Sequence, residues 1–144
     1  MSAKTFVDTN ILIYAYDVDA GAKHSRANEA LSELWQQRTG VLSLQVLQEF
    51  YVNVTRKISS PLSKALARSI VNDYIPWCTE TTTTEISAAF RHEDEHQIGF
   101  WDALIIATAA KSGASKIFSE DLNSGQYYSG VLVENPFVRL QHSQ

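Results

Sequence analysis

The sequence predicts an α/β fold with a mainly parallel central sheet flanked by helices. Short apolar runs of strand length alternate with longer segments whose apolar residues recur at helical spacing. One helix-length segment, Asp102 to Lys111, is apolar nearly all round and therefore demands burial on every side. No linker, repeat or break in composition divides the 144 residues, so residues 1–144 read as one domain, long enough to bury a real core.

The elements follow in order. Residues 4 to 8, Lys-Thr-Phe-Val-Asp, make a short strand that ends on a carboxylate. Asn10 to Tyr16 is apolar enough to open a buried helix. From Lys23 to Arg38, Ala27, Ala30, Leu31, Leu34 and Trp35 form a helical stripe, and Gly40 is expected to stop it. Val41 to Leu44 is a second strand. Leu47, Phe50, Tyr51, Val54 and Ile58 give the next helical stripe, and Pro61 separates it from a helix carrying Leu66, Ile70 and Tyr74. Pro76 to Thr79 is a short strand. Thr82 followed by Glu85 has capping-box spacing ahead of a helix from about Thr84 to Gln97. Gly99 interrupts that helix, the apolar helix from Asp102 follows, and Gly113 ends it. Lys116 to Ser119 and Val131 to Glu134 are the last two strands. In a sheet built this way, the functional crevice lies beyond the carboxyl ends of the strands.

With 44% hydrophobic and 19% charged residues, the composition is that of a soluble globular protein. The N-terminal residues lack the apolar stretch of a signal peptide, and no run approaches a membrane-spanning length. Cys78 is the only cysteine, which excludes an internal disulfide and argues against a cysteine-based zinc site. Together these point to the cytoplasm. The net charge of −4 is unfavourable for a nucleic-acid binder taken as a sum. Setting four carboxylates aside as cation ligands leaves 12 acidic residues against 12 basic ones, which permits phosphate contact elsewhere.

Those four are Asp8, Glu49, Asp102 and Asp121. Asp8 and Asp121 stand just past the apolar centres of two strands, where each would project into a shared crevice if the strands are neighbours. A cap or turn role explains either one alone. Asp102 opens the most apolar helix, where a carboxylate needs partners. Helix amides and a bound cation serve equally at this point. Glu49 lies on the flank of its helix with Gln45 and Asn53, a solvated position unless that flank faces the crevice.

The local sequences around these acids resemble one family. Val7-Asp8-Thr9-Asn10-Ile11-Leu12 resembles the opening motif of PIN-domain nucleases. Ser43-Leu44-Gln45-Val46-Leu47-Gln48-Glu49-Phe50 is similar to their second acidic motif, Phe100-Trp101-Asp102-Ala103-Leu104-Ile105-Ile106-Ala107 to the third, and Ser119-Glu120-Asp121-Leu122-Asn123-Ser124-Gly125 to the fourth. Order and spacing match from residue 4 to about residue 138, and the single-domain form most resembles the VapC-type toxins of toxin–antitoxin pairs. The resemblance implies a three-layer α/β fold, a divalent metal, endoribonuclease activity, usually a homodimer, and a small antitoxin that covers the site. By motif position it implies Asp8, Glu49, Asp102 and Asp121 as the acidic quartet, Ser119 as a supporting hydroxyl and Asn10 as a weaker support.

The chemistry suits that implication. Clustered carboxylates repel, and a divalent cation removes the penalty. Hard oxygen donors select magnesium or manganese over zinc. A retained water made more acidic by the ion can attack phosphorus. Asp8 and Asp102 are the expected primary ligands. Arg56, Lys57, Lys64 and Arg68, which flank Pro61, are candidate RNA contacts, although ordinary solvated helix faces explain them too. Ile11, Leu12, Tyr14 and Tyr16 together with Leu44, Leu47 and Tyr51 are candidates for a partner groove, with burial in the core the competing fate.

Two other readings stand beside this one. His92-Glu93-Asp94-Glu95-His96 matches the H-E-x-x-H pattern of zinc hydrolases, with His92 and His96 one helical turn apart. The charge-rich segment also reads as an exposed helix face. The other reading is a binding module whose acids merely cap helices. Within phosphodiester chemistry, a DNA nuclease or a free-standing RNA-processing enzyme is also consistent with the motifs.

Overall fold

A computed structural model describes residues 3–138. Six strands and six α-helices follow along it, with a pair of helices after each of the first three strands. They are β1 (Lys4–Val7), α1 (Thr9–Tyr16), α2 (Ala22–Gln37), β2 (Gly40–Ser43), α3 (Leu44–Arg56), α4 (Lys64–Tyr74), β3 (Cys78–Thr79), α5 (Thr83–His96), α6 (Phe100–Lys111), β4 (Ala114–Phe118), β5 (Tyr127–Tyr128) and β6 (Val131–Glu134). The sheet order is β3-β2-β1-β4-β6-β5. Every pairing is parallel except β5 with β6. Helices α1 to α4 pack on one another, whereas α5 packs on α6 and α6 lies against β2, β4 and β6. The result is a three-layer α/β arrangement.

The central strands carry what a sheet covered on both faces requires. In β1, Phe6 and Val7 are fully buried, and in β4 Ile117 and Phe118 are buried. Helix α6 is buried from Ala103 through Ala109, as its all-round apolar sequence demands. The chain leaves β1 toward β2 on one side and meets β4 on the other, so the strand order reverses at β1. Crevices form at such reversals because successive connections diverge to opposite faces. The Thr82–Glu85 capping box is present, with the Glu85 carboxylate accepting the Thr82 backbone N–H at 2.8 Å.

Several details differ from the sequence reading. Gly40 does not stop α2: Arg38 does, in the left-handed conformation at φ 58°, and Gly40 is the first residue of β2. Glycine is required there by space, since a Cβ would fall 2.3 Å from the Trp77 ring. Leu66, expected on the apolar stripe of α4, is exposed, and Ala67 takes the inward position beside Ile70 and Tyr74. Of the proposed groove residues, Ile11, Leu12 and Leu47 are core, while Leu44 is exposed. Strand β5, which the sequence did not announce, pairs with β6 through a two-residue turn at Ser129 and Gly130. Both turn residues have positive φ, the conformation whose twist suits tight hairpins. His142, which stands in a segment with no ligand motif, lies outside the described residues. Among those described, no helix is long and apolar enough to cross a membrane.

The Gly40–Trp77 contact makes a prediction. Gly40→Ala inserts a methyl group into an aromatic face held by Trp35 and Tyr74, so unfolding in urea should show a loss of about 1–3 kcal/mol. An unchanged midpoint would mean that the Trp77 ring yields freely.

Candidate active site

The crevice at the reversal point is built from the ends of β1 and β4. Val7 and Phe118 are paired in register, and the Asp8 backbone N–H donates to the Phe118 carbonyl at 3.0 Å. Asp8 and Ser119, the residues following each strand, are therefore adjacent. Asp8 caps α1, with one carboxylate oxygen accepting the Thr9 N–H at 2.7 Å and the other accepting the Ser119 hydroxyl at 2.9 Å. Ser119 is wholly buried, and its oxygen also accepts the backbone N–H groups of Asp121 and Leu122 at 3.3 Å each. One hydroxyl thus fixes Asp8 and shapes the turn that presents Asp121.

The remaining acids arrive from other elements. Asn10 donates its side-chain amide to Asp121 at 3.0 Å, across 111 residues of sequence. Glu49, on α3, is held by the Thr9 hydroxyl at 3.0 Å and the Gln45 amide at 2.8 Å. Asp102 is the third residue of α6, not its N-cap; Gly99 occupies that position. A carboxylate in the first turn is still favoured by the helix dipole. Asp102 feels the charges of Asp121 and Glu49, and Asp8 feels those of Asp102 and Asp121. All four predicted carboxylates therefore share one electrostatic site.

That site is uncompensated. Four carboxylates outside the site have a lysine or arginine partner: Glu120 with Lys23, Glu85 with Lys111, Glu134 with Lys116 and Glu29 with Arg26. Among the described residues, no basic nitrogen comes within 4.0 Å of Asp8, Glu49, Asp102 or Asp121. Burial, reinforced by Asp102 and Asp121, pushes the Asp8 carboxyl up to about 6 despite its two hydrogen bonds. Burial and the charges of Asp121 and Glu49 raise that of Asp102. Among the described residues, no three of the four bring their donor atoms within 4.8 Å of one another. An all-oxygen donor set with excess negative charge fits a hard divalent cation.

Other predicted residues fall outside this site. Arg56, Lys57, Lys64 and Arg68 are exposed at the α3–α4 junction, where Arg68 donates to the Tyr51 hydroxyl at 3.2 Å. The α5 segment is not simply an exposed face, since His92 is buried. The carboxylate that stands with His92 and His96 as a possible ligand is Glu95, whereas in the H-E-x-x-H pattern the Glu93 position serves as a base and not as a ligand. The sequence reading missed Thr9 and Gln45 as anchors of Glu49. Thr9 sits inside the first motif and Gln45 one helical turn before Glu49, which were the available signals. It also missed Tyr128, a buried residue near enough to Asp102 for that charge to raise its hydroxyl pKa further, after the larger effect of burial. Beside the crevice, Leu44, Gln45, Ile75, Trp101 and Leu104 line an open hollow of about 710 Å³.

Comparison with known proteins agrees with this architecture. The family model for the PIN domain matches residues 5–127. No curated protein sequence matches. Among solved structures, a toxin–antitoxin complex from Klebsiella pneumoniae aligns with TM-score 0.68 and 20% identity, covering 92% of this chain and 98% of that one. VapBC2 from Rickettsia felis, bound to a DNA fragment from its promoter, aligns with TM-score 0.61 and 19% identity over 91% and 97%. Mycobacterium tuberculosis VapC20, described as a sarcin–ricin loop cleaving toxin, aligns with TM-score 0.60 and 19% identity over 82% and 90%. At these identities the likeness is one of fold.

The Asp8 environment has a consequence for stability. Its carboxyl titrates near 6 in the folded protein against an ordinary 3.8. Folding therefore favours the protonated form, and the Asp8 contribution to stability declines as pH rises from about 4 to about 6. A shift of this size corresponds to roughly 1–3 kcal/mol. Asp8→Asn removes the buried charge and keeps the shape, so at pH 7 in chelator the variant should unfold at a higher temperature than the parent. Thermal melts at pH 4.5 and pH 7 check this, and a destabilised variant at pH 7 would overturn it.

Proposed function

Because the chain belongs to the PIN domain family, we propose that it is a divalent-metal-dependent endoribonuclease and the toxin of a toxin–antitoxin pair. The observation that carries the reading is the convergence of Asp8, Glu49, Asp102 and Asp121 at the β1–β4 crevice without a matching cationic side chain among the described residues. Asp8 and Asp102 would hold magnesium or manganese directly, with Glu49 and Asp121 contributing directly or through water. When bound, the ion supplies Lewis-acid activation of the phosphodiester and of the attacking water.

The chain's own residues do the positioning. Ser119 and the Thr9 amide hold Asp8 in one orientation, which limits the reorganisation needed to receive a cation. Thr9 and Gln45 hold Glu49, and Asn10 holds Asp121. Asp102 takes no hydrogen bond from another side chain among the described residues, so both its oxygens stay available. The cluster also repels a polyanion, so substrate enters only once the negative charge is offset. Dependence on the ion should then appear in RNA binding as well as in cleavage.

The toxin role draws on the toxin and toxin–antitoxin assemblies among the similar folds. An antitoxin would cover the crevice, with a guanidinium or ammonium group standing in for the cation. The hollow bordered by Leu44, Ile75 and Trp101 would receive its apolar residues. Self-association as a homodimer and residence in the cytoplasm belong to the same reading.

Labelled RNA incubated with protein and Mg²⁺ should be cut, and EDTA should stop the reaction. Asp8→Asn and Asp102→Asn should each lower cleavage by about 100-fold or more, since a direct metal ligand is lost. Ser119→Ala should weaken Mg²⁺ affinity by about 10–100-fold, as loss of a group that orients a ligand does. Full cleavage by clean, folded Asp102→Asn protein would refute the assignment, and equal cleavage of single-stranded DNA would remove the RNA preference. For the partner, co-expression with the product of the adjacent reading frame should yield a complex with suppressed nuclease activity. Binding without inhibition, or no binding, would favour a free-standing RNA-processing enzyme.

A further inference from the structure

The histidine pair of α5 takes no part in the reaction proposed above. His92, Glu95 and His96 nevertheless form the one grouping of three metal-binding side chains among the described residues whose donor atoms all lie within 4.8 Å of one another. Their spacing of three and four residues places them on one side of the last turn of α5. The two imidazole rings stack at 22° with centroids 5.8 Å apart.

A second observation points independently to a ligand. His92 is only 5% exposed, and its Nδ1 is buried with no hydrogen-bond partner among the described residues. Buried polar atoms are nearly always satisfied, so an orphaned ring nitrogen requires an explanation. The other ring nitrogen, Nε2, lies 3.2 Å from the Ser129 hydroxyl. With the proton on Nε2, Nδ1 carries a free lone pair. A metal-ligating histidine is commonly held through its second nitrogen by an oxygen in this way. Ser129 itself sits at φ 50°, an uncommon conformation for a residue with a side chain.

We propose that His92, Glu95 and His96 bind a borderline transition-metal dication, Zn²⁺ foremost, at the C-terminal turn of α5. Two imidazoles and one carboxylate are a donor set suited to zinc, with a fourth position left for water, and ill suited to magnesium. Zinc–nitrogen bonds of about 2.0–2.1 Å require the donors to draw in from their present spacing. The side chains of Glu95 and His96 are 63% and 25% exposed, and their rotation supplies that adjustment.

The site has a defined place in the fold. The His96 ring meets Tyr128 edge-on with centroids 4.8 Å apart, and Tyr128 stands near Asp102. Three residues separate His96 from the start of α6, whose first turn carries Asp102. Ordering His96 on a metal would therefore set the contact between α5 and the β5–β6 hairpin behind the carboxylate crevice. The carboxylates and the α5 site would hold different ions, one hard and one borderline.

The test uses untagged protein freed of metal by chelation and then supplied with millimolar Mg²⁺ to occupy the carboxylates. Calorimetric titration with Zn²⁺ should show one equivalent bound, Co²⁺ should give the visible absorption of a nitrogen-containing low-coordinate site, and the melting temperature should rise with Zn²⁺. His96→Gln, with its fold verified by circular dichroism in chelator, should weaken Zn²⁺ binding by about tenfold or more and lose the thermal shift. Glu95→Gln, at an exposed position, serves as a second variant with the same expectation. Asp102→Asn should keep both zinc responses. The proposal is overturned if Mg²⁺-loaded protein takes up no Zn²⁺, or if both α5 variants bind it as the parent does. Loss of binding in Asp102→Asn would also overturn it, because the ion would then sit among the carboxylates.

Discussion

Unbalanced negative charge at the meeting point of β1 and β4 is the constraint around which this protein is organised. Asp8 is buried, shares its surroundings with Asp102 and Asp121, and has no cationic partner among the described residues. Burying a carboxylate this way is unfavourable unless its charged form is hydrogen-bonded or neutralised. The fold answers with the Ser119 hydroxyl and the Thr9 amide, which only partly offset burial. Ser119 is the centre of this arrangement, because its single oxygen joins the end of one strand to the turn after its neighbour. The parallel pairing of β1 with β4 is what brings these groups, 111 residues apart, to bonding distance.

Much of this was readable in the sequence because the signals were local. Asp8 and Asp121 follow strands, and the strand ends of a parallel sheet open on one side. Helix α6 was legible from composition alone, since a segment without a polar face has one place to go. What escaped depended on packing between distant segments. The reason for glycine at position 40 is the Trp77 ring, and nothing near Gly40 in the chain announces it. Leu66 and Ala67 both fit a helical stripe, and the neighbouring helix decides which turns inward. Glu93 and Glu95 are equivalent in a pattern of charges, whereas the pitch of α5 puts only Glu95 with the two histidines.

The supporting residues show why motifs are broader than their acids. Thr9 lies between Asp8 and Asn10, and each of the three serves a different carboxylate or is one. Asp8 is an acid of the site, Thr9 holds Glu49, and Asn10 holds Asp121. Helix α1 thus distributes three adjacent side chains to three parts of one crevice. A helix start is well suited to this, because its first residues fan out while their backbone is held by the cap.

The two outer strands carry a different implication. The described sheet ends in β3 on one side and β5 on the other, and each is two residues long. Open sheet edges invite a further strand from another molecule, by recruitment or by fibrillar aggregation, and very short edge strands offer too few backbone groups to template one. A protein closed off in this way is guarded against edge-to-edge polymerisation. It also presents visitors with side chains instead of an unpaired backbone ladder, so recognition at these two borders is governed by surface shape and charge rather than by strand addition.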